Sequence, residues 1–171
     1  MGQVVLLTGD AGLGKSRLVH VVKEHVRQAS EEAEPLVIEW RCSPYYQNTG
    51  LYPVTDYFQH ALEFGRDEVP AARLDKLERY FQAGNAGKLG DIVPLFAALL
   101  SVPGDSRYPP LNLSPAGQKQ RTLDALVNWL GDLAGRQPVL FIVEDLHWSD
   151  PSTLELLELI MHRPDFPDHE I

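Results

Sequence analysis

The sequence predicts an α/β fold in which helices cover a parallel sheet. An apolar run at residues 4–7 is followed by a glycine-rich turn and a segment with helical spacing of apolar residues. Two further apolar runs, 36–42 and 138–145, have the length and composition of buried parallel strands. Strands that alternate with helices indicate a parallel sheet, and we count three strands in this chain.

The turn after the first strand matches the phosphate-binding pattern G-x-x-x-x-G-K-[ST] at every fixed position. Backbone N–H groups can converge on a polyphosphate only where side chains are absent, and the N-terminus of the following helix adds further donors. We expect Lys15 to reach the β- and γ-phosphates of ATP and the Ser16 hydroxyl to bind Mg²⁺. The predicted nucleotide-binding residues are Gly9, Asp10, Ala11, Gly12, Leu13, Gly14, Lys15, Ser16 and Arg17.

Composition excludes several classes of protein. The chain has 171 residues, enough for one domain with a core, and 44% of them are hydrophobic. A formal charge of −9 disfavours direct binding to nucleic acid or to anionic membranes. The lone cysteine, Cys42, allows no internal disulfide, and we interpret it as a small buried side chain. We therefore expect a cytoplasmic domain without direct contact to membranes.

The segment after the second strand is predicted to be a loop and then helical. Tyr45 and Tyr46 lie in the loop, where they either stack on a base or pack onto the domain. Three interrupted helices follow, with ends predicted at Gly65, Gly84 and near residue 100. Pro94 in the third is expected only in a first turn, because proline disrupts a helix interior. Residues 101–112 are rich in proline and predict a loop.

A longer helix is predicted between that loop and the third strand. Ser114 is a typical N-cap, Pro115 suits the first helical position and Gly135 suits the end of the helix. Its buried stripe should comprise Leu123, Leu126, Val127 and Leu130.

The third strand ends in two carboxylates, Glu144 and Asp145. Acids at the end of a buried strand are costly unless a positive charge compensates them. In open α/β sheets, ligands bind outside the carboxyl ends of the strands, which is also where the phosphate loop leaves its strand. We expect Mg²⁺ with a bound triphosphate to supply the charge, one acid holding the metal, usually through water, and the other orienting or activating the attacking water.

These residues resemble a known family, the signal-transduction ATPases with numerous domains (STAND) among the P-loop NTPases, which have a three-layer α/β/α fold. Beside the phosphate loop, the resemblance rests on residues 144–154, E-D-L-H-W-S-D-P-S-T-L. The runs R-C-S-P-Y-Y at 41–46 and Y-P-P-L at 108–111 resemble the branch attached to bacterial adenylate/guanylate cyclases, large transcriptional regulators or Ser/Thr kinases.

The resemblance implies an AAA-like, ATP-driven switch within a multidomain signalling protein. Its partners would be ATP and Mg²⁺, a cyclase, kinase or DNA-binding output domain, and helical repeats. By position, Glu144 corresponds to the metal-site acid and Asp145 to the acid that positions water, although related ATPases place Asp before Glu. His147 is a candidate γ-phosphate sensor or a helix-entry residue, and Asp150 with Pro151 predicts an N-cap and first turn.

The family's sheet has five parallel strands, the fourth lying between the phosphate-loop strand and the Glu144 strand. The resemblance therefore implies that residues 1–171 are a partial ATPase domain, truncated before the fourth and fifth strands, with a helical insertion at about 52–135. The run 163–166 resembles one that follows the fourth strand in relatives.

Three functions remain open on the residues. The first is a regulatory ATPase that hydrolyses ATP slowly, and the second is a nucleotide-binding interaction module without turnover. The third is a P-loop kinase, against which the paired acids Glu144 and Asp145 argue, since they indicate activation of water.

Overall fold

The computed structural model describes residues 3–29, 34–85 and 89–162. It confirms the α/β class: one two-stranded parallel sheet is accompanied by helices. The elements in chain order are α1 Lys15–Ala29, β1 Leu36–Arg41, a 3₁₀ turn Pro44–Tyr46, α2 Tyr52–Ala61, α3 Pro70–Asn85, α4 Leu89–Leu99, α5 Pro115–Ala134, β2 Val139–Glu144, a 3₁₀ turn Leu146–Trp148 and α6 Pro151–Met161.

The sheet pairs β1 with β2 along their whole lengths, from Leu36 opposite Val139 to Arg41 opposite Glu144. Side chains alternate between the two faces of a strand, so the faces differ in chemistry. On one face the buried Trp40 meets Phe141 edge-on, with ring centroids 4.6 Å apart. The register therefore places the last residues of the two strands, Arg41 and Glu144, on the face opposite Trp40.

The helices between the strands form most of the core. Helix α2 packs on β1 and α6, and a chain of contacts runs from α3 through α4 and α5 to α6. Phe58 of α2 is fully buried at the centre, within 4.9–6.4 Å of four aromatic rings of other helices by centroid distance. These rings belong to Tyr80, Phe81, Phe96 and Trp129.

Helix α5 begins and ends where the sequence predicts. The Ser114 hydroxyl accepts a hydrogen bond from the Gly117 N–H at 3.1 Å, Pro115 occupies the first turn and Gly135 follows the last residue. Of the predicted stripe, the three leucines are at most 2% exposed, whereas Val127 is half-buried. Trp129 is also buried and was not predicted to be.

The prediction of a first strand at residues 4–7 is wrong. Residues 4–7 form no strand, and their exposed fractions range from 39% at Leu7 to 84% at Val5. A strand exists only when a neighbour supplies hydrogen-bond partners, and the two strands of the described residues pair with each other. The prediction of a buried strand rested on the apolar composition of residues 4–7 alone. Among the described residues no strand pairs with this segment, so it stays exposed.

The expectation for Pro94 is also wrong, because it lies inside α4 and not in its first turn. Proline cannot donate to the carbonyl four residues earlier, which belongs to Gly90. Gly90 is exposed, so water can satisfy that carbonyl, and the helix continues through four buried residues.

The predicted run 163–166 lies outside the described residues. Among the helices in the described part of the chain, none combines the length and the apolar character that crossing a bilayer requires.

Candidate functional site

The glycine-rich loop has the backbone conformation that its sequence demands. Gly9, Gly12 and Gly14 adopt φ angles of 147°, 86° and 84°, in the region that favours glycine. A Cβ on Gly9 would lie 3.2 Å from Leu13 Cδ1, which is tighter than ordinary contact. Nothing lies within 4 Å of the corresponding points at Gly12 and Gly14, so the loop is open on that side. Substitution at any of these positions would strain the backbone.

Lys15 is folded back over this loop. Its Nζ donates hydrogen bonds to the carbonyl oxygens of Gly9 at 2.6 Å and Asp10 at 2.7 Å. Both bonds are exposed to solvent, so phosphate oxygens can replace these acceptors at little cost. Ser16, the next residue, is exposed as well. The loop thus presents backbone N–H groups, an ammonium and a hydroxyl at the start of one helix.

Helix α1 connects the loop to the sheet through a charge contact. Lys23 Nζ lies 2.6 Å from Glu39 Oε2, and Glu39 lies on the face of β1 opposite Trp40. Several apolar side chains of the loop and helix remain exposed, among them Leu13, Leu18, Val21 and Val22. The helix therefore leaves much of its apolar surface exposed, although Val19 and Val26 are half-buried.

Glu144 ends β2, and its carboxylate is already engaged. Arg41, opposite it on β1, donates from Nε at 3.0 Å and from Nη2 at 2.5 Å, both to Glu144 Oε2. The side chains are 70% exposed for Arg41 and 19% exposed for Glu144, so the guanidinium covers a half-buried acid from the solvent side. Hydrogen bonding and charge attraction from Glu144 raise the pKa of Arg41.

Asp145 follows in the left-handed conformation, with φ 57° and ψ 39°. Aspartate tolerates this region better than most residues, and here it turns the chain out of the strand. The Asp145 carbonyl accepts from the Trp148 N–H at 2.9 Å, which closes a 3₁₀ turn. The side chains of Asp145, His147 and Trp148 are exposed, the latter two rings 4.8 Å apart. The turn thus presents a carboxylate and two rings to solvent directly after Glu144.

Asp150 holds the next helix to the rest of the domain. This side chain is 2% exposed, and its Oδ1 accepts from the N–H groups of Ser152, Thr153 and Leu51 at 2.9, 3.0 and 3.2 Å. Its Oδ2 accepts from the Thr153 hydroxyl at 2.5 Å. The predicted N-cap is confirmed, and it also ties the start of α2 to the start of α6.

The family comparison covers nearly all of these elements. A family model described as the AAA ATPase domain matches residues 1–169.

The chain belongs to this family.

Membership identifies an AAA-like P-loop ATPase domain and indicates nucleotide binding.

A relative of this AAA ATPase domain is an uncharacterised protein of Rhizobium meliloti (strain 1021). It is 30% identical over 159 residues, which are 91% of this chain. The chain spans 14% of the length of that protein. No solved structure matches the chain.

The residues of the AAA ATPase domain fit a nucleotide with Mg²⁺ by their chemistry. The open side of the loop at Gly12 and Gly14 offers room for phosphates, and the ammonium of Lys15 supplies charge. The described residues contain no group of three His, Cys, Asp or Glu side chains that could hold a metal unaided. Mg²⁺ in nucleotide sites takes most of its ligands from phosphates and water, so one or two protein oxygens are enough; that Ser16 with Glu144 or Asp145 supplies them stays a prediction.

Other predicted residues have mixed outcomes. Tyr46 stacks on Tyr52 with centroids 3.8 Å apart, as packing onto the domain predicts, whereas Tyr45 is 89% exposed. Base stacking by Tyr45 and phosphate sensing by His147 stay predictions. Cys42 is buried, and its Sγ lies 3.0 Å from Ser149 Oγ. Burial raises the pKa of this thiol, which argues against a reactive cysteine.

Sequence reasoning missed Arg41 as part of the site. It lies 103 residues from Glu144 in the chain, so local spacing could not pair them. The available signal was topological: two strands with their charged ends at the same edge of one parallel sheet.

Proposed function

We propose that this domain binds Mg-ATP at residues 9–17 and hydrolyses it slowly as a regulatory switch. The observation that carries the proposal is the loop at the start of α1. Three glycines there have positive φ angles, and Lys15 is held by exposed, replaceable hydrogen bonds. Family membership supports nucleotide binding, and the acids at the end of β2 supply the chemistry for turnover.

Each residue then has a definite task. The loop N–H groups and Lys15 bind and neutralise the phosphates, and Ser16 with Glu144 holds the metal. Bound Mg²⁺ would neutralise charge that develops on the phosphates during transfer. Asp145, exposed after the strand, orients the attacking water and accepts its proton.

The size of the relative supports a multidomain context. This chain spans 14% of that protein, so the ATPase domain proposed for residues 1–171 would be one part of a longer signalling protein. Helices α2 to α5 lie within the proposed insertion at about 52–135. We assign them to the same hydrophobic core that supports both strands. A STAND-type parent would join the domain to a cyclase, kinase or DNA-binding output and to helical repeats.

Two observations favour a second candidate, nucleotide binding without turnover. The Glu144 carboxylate is engaged by Arg41, and no strand joins the phosphate loop to β2 in the described residues. In that arrangement the domain would hold nucleotide as a scaffold and signal through its partner domains.

Binding and phosphate release separate the candidates. Fluorescent ATP should bind the wild type and lose most of its affinity in Lys15→Ala, while Arg27→Ala, on the same helix and away from the loop, should bind normally. Release of phosphate with water alone should vanish in Asp145→Asn with nucleotide affinity retained. Binding without release in the wild type supports the scaffold, and phosphate transfer to an added acceptor supports a kinase. Unchanged affinity in Lys15→Ala would refute the loop assignment.

A further inference from the structure

We propose that Arg41 competes with Mg²⁺ for Glu144 and thereby sets how strongly nucleotide binding depends on the metal. This inference deepens the proposed function and rests on it. Arg41 is then a positioning residue, because it acts through Glu144 and does not itself touch the nucleotide.

The contact has the geometry of a competitor. Two nitrogens of the Arg41 guanidinium donate to one oxygen of Glu144, at 3.0 and 2.5 Å. A carboxylate oxygen that already accepts two charge-assisted hydrogen bonds has lost much of its capacity to bind another cation. A metal or metal-bound water approaching that oxygen must displace the guanidinium.

The surrounding charges explain why a base lies there. Three carboxylates act on Arg41 electrostatically, those of Glu144, Asp145 and Glu39. Lys23 pairs with Glu39, on the side of α1, and Arg41 pairs with Glu144. Without metal, Arg41 therefore lowers the repulsion among these three carboxylates.

Exposure makes the competition reversible. The Arg41 side chain is 70% exposed, so its charge is already largely hydrated in the ion pair, and releasing it to solvent frees its rotamers. Glu144 remains fixed by the strand, since its backbone carbonyl accepts from the Cys42 N–H at 3.0 Å. Displacing Arg41 changes only one side chain, and the metal site forms on a strand end that stays in place.

The test compares ATP affinity in saturating Mg²⁺ with ATP affinity in EDTA, for the wild type and Arg41→Gln. Removing Arg41 should tighten Mg-ATP binding about three- to fivefold, the factor by which an exposed ion pair shifts an equilibrium. Affinity in EDTA should not rise. Arg41→Lys, which keeps the charge, should stay close to the wild type.

A matched control removes a charge elsewhere. Lys119→Gln breaks a comparable exposed pair with Glu155, 2.6 Å long, between α5 and α6, and should leave both affinities unchanged. Unchanged or weaker Mg-ATP binding in Arg41→Gln overturns the competition, while normal binding by the wild type leaves the proposed function standing. If Glu144→Gln does not reduce the ratio of ATP affinity in Mg²⁺ to ATP affinity in EDTA, Glu144 is not a metal ligand. Both its proposed role in binding the metal and its proposed competition with Arg41 then fail. If the wild type binds no ATP, the proposed function itself is refuted.

Discussion

Replacing Asp150 by alanine should destabilise the domain far more than removal of an ordinary helix cap. In the folded chain this carboxylate accepts three backbone N–H bonds and one hydroxyl bond while it is almost fully buried. Alanine leaves all four donors without their partner. Two of these donors start α6, and another belongs to the buried N–H of Leu51, just before α2.

The magnitude follows from the two kinds of lost bond. Loss of an N-cap costs about 0.5–2 kcal/mol. A buried N–H left unsatisfied costs about 1–3 kcal/mol more, and this second cost applies to Leu51. Together they predict a loss of about 2–4 kcal/mol in the free energy of unfolding. For a domain of this size that corresponds to a fall in Tm of roughly 5–15 °C.

Urea unfolding and thermal unfolding of Asp150→Ala and Ser114→Ala give the measurement. Ser114 also caps a helix, but it is exposed and accepts one bond, from the Gly117 N–H. Its removal should cost about 1 kcal/mol or less. If Asp150→Ala costs no more than Ser114→Ala, the bond to Leu51 contributes nothing, and the coupling of α2 to α6 through Asp150 is refuted.

Three further predictions concern other parts of the chain. Mg-ATP at about 100 times its Kd should stabilise the wild type by roughly 2.7 kcal/mol, an increase in Tm of about 5–10 °C, and Lys15→Ala should lose most of it. An equal shift in both proteins would contradict the site. Because burial raises the pKa of the Cys42 thiol, its alkylation by iodoacetamide at pH 8 should be at least about tenfold slower in the native protein than in urea. Similar rates would show an accessible thiolate. The Lys76 side chain, and then the Gly65 N–H, hold the pKa of Glu68 below its ordinary value of 4.5. Its contribution to stability is therefore complete above that pH and lost as the pH falls through the lower folded pKa, so Glu68→Gln should flatten the acid limb of a stability-versus-pH curve. An unaltered acid limb would show that the Glu68–Lys76 contact is not stabilising.

Much of the fold was predictable because its signals are local. Ser114, Pro115 and Gly135 mark the ends of α5 through bonds and dihedral angles within one turn of each residue. Asp150 marks the start of α6 in the same way. The predicted strand before Glu144 and Asp145 is confirmed because an apolar run bounded by proline and acids leaves few other conformations for it.

The failures concern partners that are distant in sequence. The apolar character of residues 4–7 predicted a strand, but a strand needs a neighbour, and sequence pattern does not reveal whether one is present. The bond between Arg41 and Glu144 depends on the register of a sheet that forms across the whole helical segment. At Pro94 a general rule about proline was overridden, since the carbonyl it leaves free is exposed.

The separation between the paired strands also governs how this domain folds. Arg41 and Glu144 meet across 103 positions of chain, so closing the sheet costs the entropy of a loop that contains α2 to α5. Contacts among those helices are closer in sequence and can form first, on the faster timescale of local structure. We therefore expect the sheet, and with it the strand ends that carry Arg41 and Glu144, to form late, after the helices have packed. On this expectation, the site proposed for this edge becomes available only late in folding.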